Sequence, residues 1–179
     1  MDGGKKIEFP IGIIELFNGG SHGQLIKLIQ SICLKHHLLS LSDKKWHWRS
    51  RCGALQLLPQ LNSITEPVST VFTTSVGSLP EIIALCPNLS NSYKVLYFHE
   101  NQLAYPTQSI KDRDYQYGYN QILSALIADI VLFNSDYNMT SFLDNIDKFL
   151  NRMPDYKPKG TSDIIRKKSQ VMYIYIIKF

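Results

Sequence analysis

The chain has little cysteine: Cys33, Cys52 and Cys86 are odd in number and far apart. That excludes a disulfide framework or zinc ribbon and points to a reducing compartment, the cytoplasm or also the nucleus. Metal-site spacing is lacking too, since neither H-E-x-x-H nor a cysteine pair occurs, and no metal is expected. No apolar run reaches membrane length. ILSALIADIVLF is cut by Asp129, and the opening MDGGKKIEFP is too polar for the core of a secretory leader, so a soluble chain without a membrane partner is expected. Charge is modest: a net +4 permits a polyanionic partner such as nucleic acid without requiring one. Internal repeats and low-complexity tracts are missing. What remains is 179 residues, 44% of them hydrophobic, enough for one packed domain.

Strand-length apolar runs at 11–17, 38–41, 70–74, 95–98, 130–133 and 171–174 alternate with helical patterns at 24–34, 48–58, 79–85, 114–128 and 140–150. Alternating strand and helix imply crossovers and a parallel sheet, so the expected fold is α/β, a Rossmann-like doubly wound parallel sheet. Loops are expected at Asn18-Gly-Gly-Ser, Pro87-Asn88, Pro106-Thr107 and Pro154–Gly160. In the common winding order the first and fourth strands lie side by side at the switch point, where ligands bind. The segment Asn18-Gly19-Gly20-Ser21-His22-Gly23 after strand one should then meet His99-Glu100-Asn101-Gln102 after strand four.

Several chemistries fit those loops. Asn18-x-Gly20-x-x-Gly23, with Asp43 about 20 residues on, resembles a dinucleotide fingerprint that lacks its first glycine; a nicotinamide-dependent oxidoreductase would use Gly20, Gly23 and Asp43. His99 and Glu100 could be an acid/base pair or could hydrogen-bond sugar hydroxyls. From Lys44 to Arg51 the chain interleaves Lys44, Lys45, Arg49 and Arg51 with Trp46 and Trp48, a mixture that suits RNA, so a non-catalytic RNA-binding module also stays open. At helical spacing Tyr115 and Tyr119 share a face while Tyr117 projects elsewhere, leaving the amides of Gln116, Asn120 and Gln121 to a polar ligand or to solvent.

Four strings, KKWHWRSR at 44–51, LYFHENQLAYP at 96–106, DYQYGYNQILSALIAD at 114–129 and VLFNSDYNMTSFL at 131–143, closely resemble the amino-terminal domain of the tRNA-queuosine alpha-mannosyltransferase family. The resemblance runs from about Ile11 to Gln170 and implies the amino-terminal half of a GT-B enzyme: a tail at 1–10, an acceptor-side domain at 11–170 and a divergent end at 171–179. It further implies mannose transfer from GDP-mannose to queuosine in a tRNA anticodon, with no cofactor beyond that donor. His99 and Glu100 would be the catalytic pair, His99 lying against the transferred sugar. Gly19 and Gly20 would approach the donor phosphates, and Ser21, His22, Asn101, Gln102, Tyr117 and Asn120 would complete the substrate site. Lys44, Lys45, Trp46, Trp48, Arg49 and Arg51 would face the tRNA. Ser135 matches a strand-end serine of the family and is expected to be a structural cap. Family members continue into a second domain, whereas this sequence ends in VMYIYIIKF and has no E-x7-E pair, Glu8 and Glu15 being one residue too close. The donor half is therefore expected to lie outside it, and the chain alone to be inactive.

Overall fold

A computed structural model describes residues 11–15, 20–32, 35–42, 44–104 and 115–173. Six strands, β1 (Ile11–Glu15), β2 (His36–Ser40), β3 (Thr70–Thr74), β4 (Tyr93–Phe98), β5 (Ile130–Phe133) and β6 (Ser169–Val171), form one sheet in the order β2-β1-β3-β4-β5-β6. Every pairing is parallel. The connections carry α1 (Gly20–Ile32), α2 (Trp46–Gln56), α3 (Leu58–Leu61), α4 (Leu79–Leu85), α5 (Tyr115–Ile127), α6 (Asp136–Leu150) and α7 (Thr161–Arg166). This is the expected α/β class.

The expected strand neighbours need correction. β1 pairs with β2 and β3, and β4 lies one strand further on. From β2 the chain crosses back over β1 through α2 and α3 to β3, so the winding reverses between β1 and β3. Residues after β4 consequently have the segments after β3 and β5 as their neighbours, not the segment after β1. Of that glycine-rich segment, Asn18 and Gly19 lie outside the described residues. Gly20, Ser21, His22 and Gly23, expected in a loop, form the first turn of α1. Asp43 and the Pro106-Thr107 turn also lie outside the described residues. Pro87–Leu89 is a short 3-10 helix. The last strand ends three residues before the expected limit of Ile174, which is not among the described residues.

Alternation along the strands divides the sheet into two faces. Leu39, Val71, Leu96, Phe98, Val131 and Phe133 are buried in one cluster with side chains from α2 to α7. Phe98 and Phe133 stack at 4.6 Å, and Phe142 of α6 packs against Phe98 at 4.7 Å. None of the described side chains of α1 joins that cluster. The helix lies on the one connection that runs the other way along the sheet, so a right-handed crossover puts it on the opposite face.

The helix α5 lies close to the segment that follows β4. A Cβ added at Gly118 would fall 2.6 Å from Leu103 Cδ2 and 2.6 Å from Phe149 Cε2. Phe149 cannot easily yield, because its ring stacks on Tyr115 at 4.4 Å with the Arg152 guanidinium 5.6 Å away on it. Gly118→Ala should therefore be a net destabilisation: overpacking costs about 1–3 kcal/mol, against a helix-propensity gain of about 1 kcal/mol. A urea titration giving the variant equal or higher stability would show that Leu103 and Phe149 move aside freely.

Candidate functional site at the carboxyl edge of the sheet

β4 delivers His99-Glu100-Asn101-Gln102 to the carboxyl edge, and the four side chains do not share one fate. Asn101 turns inward and is only 5% exposed. Its Oδ1 accepts the backbone N–H groups of Leu103 (3.1 Å) and Ala104 (2.8 Å), which folds the segment back on itself. Its Nδ2 donates to Asn138 Oδ1 (2.8 Å) and Ser141 Oγ (3.0 Å). Asn138 Nδ2 in turn donates to Asn134 Oδ1 (2.8 Å), and Asn134 Nδ2 donates to the His99 carbonyl (2.7 Å). Three amides thus run in one direction from the segment after β4 through α6 to the end of β5 and back to His99. Ser135 caps α6 as expected, its Oγ accepting the N–H of Asn138 at 3.2 Å, with Asp136 in the positive first turn.

Gln102 is held through its backbone, its N–H donating to Gln121 Oε1 at 2.8 Å while Gln121 Nε2 reaches the Ser75 carbonyl at 3.3 Å. Asn120, also buried, donates to the Ser50 carbonyl at 3.3 Å and accepts from Gln116 Nε2 at 2.6 Å. The amides of Asn120 and Gln121 therefore bind protein, where their spacing alone left them to a ligand or to solvent. For Gln121 the cause is simple, since the Ser75 carbonyl just after β3 needs a donor, whereas Asn120 ties α5 to α2 through the Ser50 carbonyl.

His99 and Glu100 remain at the surface of a cavity of about 340 Å³, together with Asn134, Ser135 and Tyr137. Asn101 and Asn138 form its inner wall. The His99 ring meets Tyr97 edge to face at 4.8 Å, and burial pushes the Tyr97 phenol above its ordinary pKa. A small second cavity is lined by Trp46, Ser50, Ser75, Gln102, Tyr117 and Gln121, and Glu100 borders both. Tyr137 (78% exposed), Asn134 and Asn138 are site residues that the sequence did not single out, although NSDYN after the apolar IVLF repeats the pattern of HENQ after YKVLYF.

The six residues expected at RNA separate as well. Tyr117, only 6% exposed, is enclosed by three of the residues of α2: Trp46 at 4.9 Å between ring centroids, the Arg51 guanidinium 5.1 Å over its ring, and His47 Nδ1 3.0 Å from its hydroxyl. Arg49 is tied to Ser42, through Nε to the carbonyl (3.2 Å) and Nη2 to Oγ (2.8 Å), and to Gln56. Lys44, Lys45 and Trp48 stay exposed. Gly19 lies outside the described residues; Gly20, Ser21 and His22 are in α1, whose strand β1 is separated from β4 by β3. Among the described residues no three His, Cys, Asp or Glu are grouped as metal ligands, and no helix is long and apolar enough to cross a membrane.

A parallel sheet wound in both directions, with a cavity lined by polar residues outside the carboxyl ends of its strands, defines a Rossmann-like α/β domain, the class of sheet whose ligands bind at that edge. Comparison with known proteins narrows the class. Residues 10–176 match the family described as tRNA-queuosine alpha-mannosyltransferase N-terminal, and the chain belongs to that family. A protein of Drosophila melanogaster named tRNA-queuosine alpha-mannosyltransferase is 51% identical over 168 residues, which cover 90% of this chain and 43% of that relative. The chain thus spans less than half the length of the relative.

Proposed function

We propose that this chain is the acceptor-side domain of a GT-B glycosyltransferase that moves mannose from GDP-mannose to queuosine in a tRNA anticodon. The observation that carries the reading is the family match over residues 10–176, and the cavity beside His99 and Glu100 gives it a place to act. In this reading His99 and Glu100 touch the sugar and the accepting hydroxyl. Asn134 holds the His99 carbonyl, and Asn101 and Gln121 fix the backbone on the other side of Glu100, so the two side chains are presented from a braced strand end. The chain's contribution is orientation, and alignment of two reactants is worth on the order of 7–11 kcal/mol when complete. The donor diphosphate needs fixed cations and N–H groups as it leaves; we place these in the remaining part of the longer relatives.

The test is transfer of labelled mannose from GDP-mannose to queuosine-containing tRNA, run with this chain and with a form extended by the rest of the relative's length. Transfer by the extended form, and none above background by this chain, is the expected result. An extended form that folds but labels no queuosine tRNA would overturn the reading.

A further inference from the structure

The outer side of α2 carries side chains that the fold leaves unused. From Lys44 to Thr65 the sequence holds four cations, Lys44, Lys45, Arg49 and Arg51, and no acid, while the net charge of the whole chain is +4. This one stretch therefore concentrates a basic excess that elsewhere cancels. Its inner members are occupied: Trp46 and Arg51 enclose Tyr117, and Arg49 is bound to Ser42 and Gln56. Trp48 behaves differently. It is 59% exposed on a helix whose other tryptophan packs against the core. Lys44 and Lys45 stand exposed just before it, Lys45 in the left-handed region (φ 62°) at the start of the helix. An exposed tryptophan costs solubility without adding to the core, so its place beside exposed cations suits a ligand with flat apolar faces and negative charge.

We infer that the outer edge of α2 is a docking surface for single-stranded RNA, with Trp48 stacking on an unpaired base and Lys44 and Lys45 meeting phosphates. The inference rests on the RNA-modifying reading above and names the surface that holds the RNA. Aromatic stacking with backbone cations is the chemistry of sequence-tolerant single-strand binding. Among the described residues from Lys44 to Thr65 the charged side chains are all cations, which suits a polyanion better than the mixed polar rim of a protein interface. The position suits the acceptor cavity: Trp46, on the inner side of the same helix turn, lines the small cavity that Glu100 shares with the large one. A base on the outer edge is then separated from that cavity by about one helix diameter, roughly 10–12 Å.

The experiment titrates this chain with a fluorescently labelled anticodon stem-loop that lacks queuosine, over a series of salt concentrations. The doubly substituted Lys44→Gln/Lys45→Gln form should flatten the slope of log affinity against log salt by about 1.4, at roughly 0.7 per phosphate contact on a single strand. Trp48→Ala should weaken binding about 5- to 150-fold and leave the salt slope unchanged. Both variants should melt with the unaltered chain, since these side chains are exposed, whereas Trp46→Ala should melt earlier. Absence of binding by the unaltered chain at low salt, or wild-type affinity and slope in both variants, overturns the inference. So does a Trp48→Ala variant whose only change is dissociation of a protein dimer in sedimentation. Failure here is separable from failure of the transferase reading. RNA binding that depends on Trp48 in a protein whose extended form transfers no mannose removes the transferase alone, while an extended Trp48→Ala form with unaltered KM for queuosine tRNA removes the docking surface alone.

Discussion

Asn101→Ala is expected to lower the stability of the domain by roughly 3 kcal/mol or more, because truncating one member of a buried amide set leaves several groups unpaired at about 1–3 kcal/mol each. The side chain accepts from Leu103 N and Ala104 N and donates to Asn138 Oδ1 and Ser141 Oγ, all in a position that is 5% exposed. With a total folding free energy of about 5–15 kcal/mol for a domain of this kind, that is a large fraction. Urea unfolding should show a lower midpoint with an unchanged slope. Asn101→Asp sharpens the test. It keeps both acceptor contacts to the backbone N–H groups but sets a carboxylate oxygen against Asn138 Oδ1, so it too should be destabilised at neutral pH. If either variant unfolds with the wild-type chain and loses only ligand affinity, Asn101 belongs to the ligand and not to the framework.

This residue also marks where the sequence stops being legible. The six strands and five longer helices follow from apolar periodicity, which is local, and each is found within a few residues of its expected place. Strand order is not local. Whether β4 lies beside β1 or β3 depends on how far each crossover travels, and no residue of β1 or β4 records it. The fate of polar side chains is equally distant in origin. His99, Glu100, Asn101 and Gln102 look alike after an apolar strand, and only Asn134, Asn138 and Gln121, some 19 to 37 positions away, draw Asn101 and the Gln102 backbone inward while leaving His99 and Glu100 at the cavity. Trp46 and Trp48 are separated by the helix turn itself. Two positions apart on α2, they face about 200° away from one another, so interleaving read as one RNA-binding string becomes one packed and one exposed ring. The short helix α7 had no periodic signal to announce it, since its 6 residues make fewer than two turns.

His99→Ala in the extended enzyme is expected to reduce kcat for mannose transfer by about 100-fold or more while shifting stability little. The two effects separate because the backbone and the side chain of His99 are held by different partners. Asn134 donates to its carbonyl at 2.7 Å and Ser75 Oγ donates to the neighbouring Glu100 carbonyl at 3.2 Å, so the strand end keeps its place when the imidazole is removed. Among the packing lost with the ring is its edge-to-face contact with Tyr97, and aromatic pairs of that kind contribute about 0.5–1.5 kcal/mol. A 100-fold loss of rate corresponds to about 2.7 kcal/mol of transition-state stabilisation, more than that contact supplies. The proposed role places the imidazole against the sugar only when both walls of the cleft are assembled, so the change should appear in kcat more than in the KM for tRNA, whose proposed docking surface lies on α2. Glu100→Gln separates the two candidates further: it keeps size and hydrogen bonding but removes the charge that borders both cavities. If Glu100→Gln alone abolishes transfer while His99→Ala, correctly folded by its melting curve, retains its specific activity, the imidazole is a packing group at a strand end and the chemistry rests on the carboxylate.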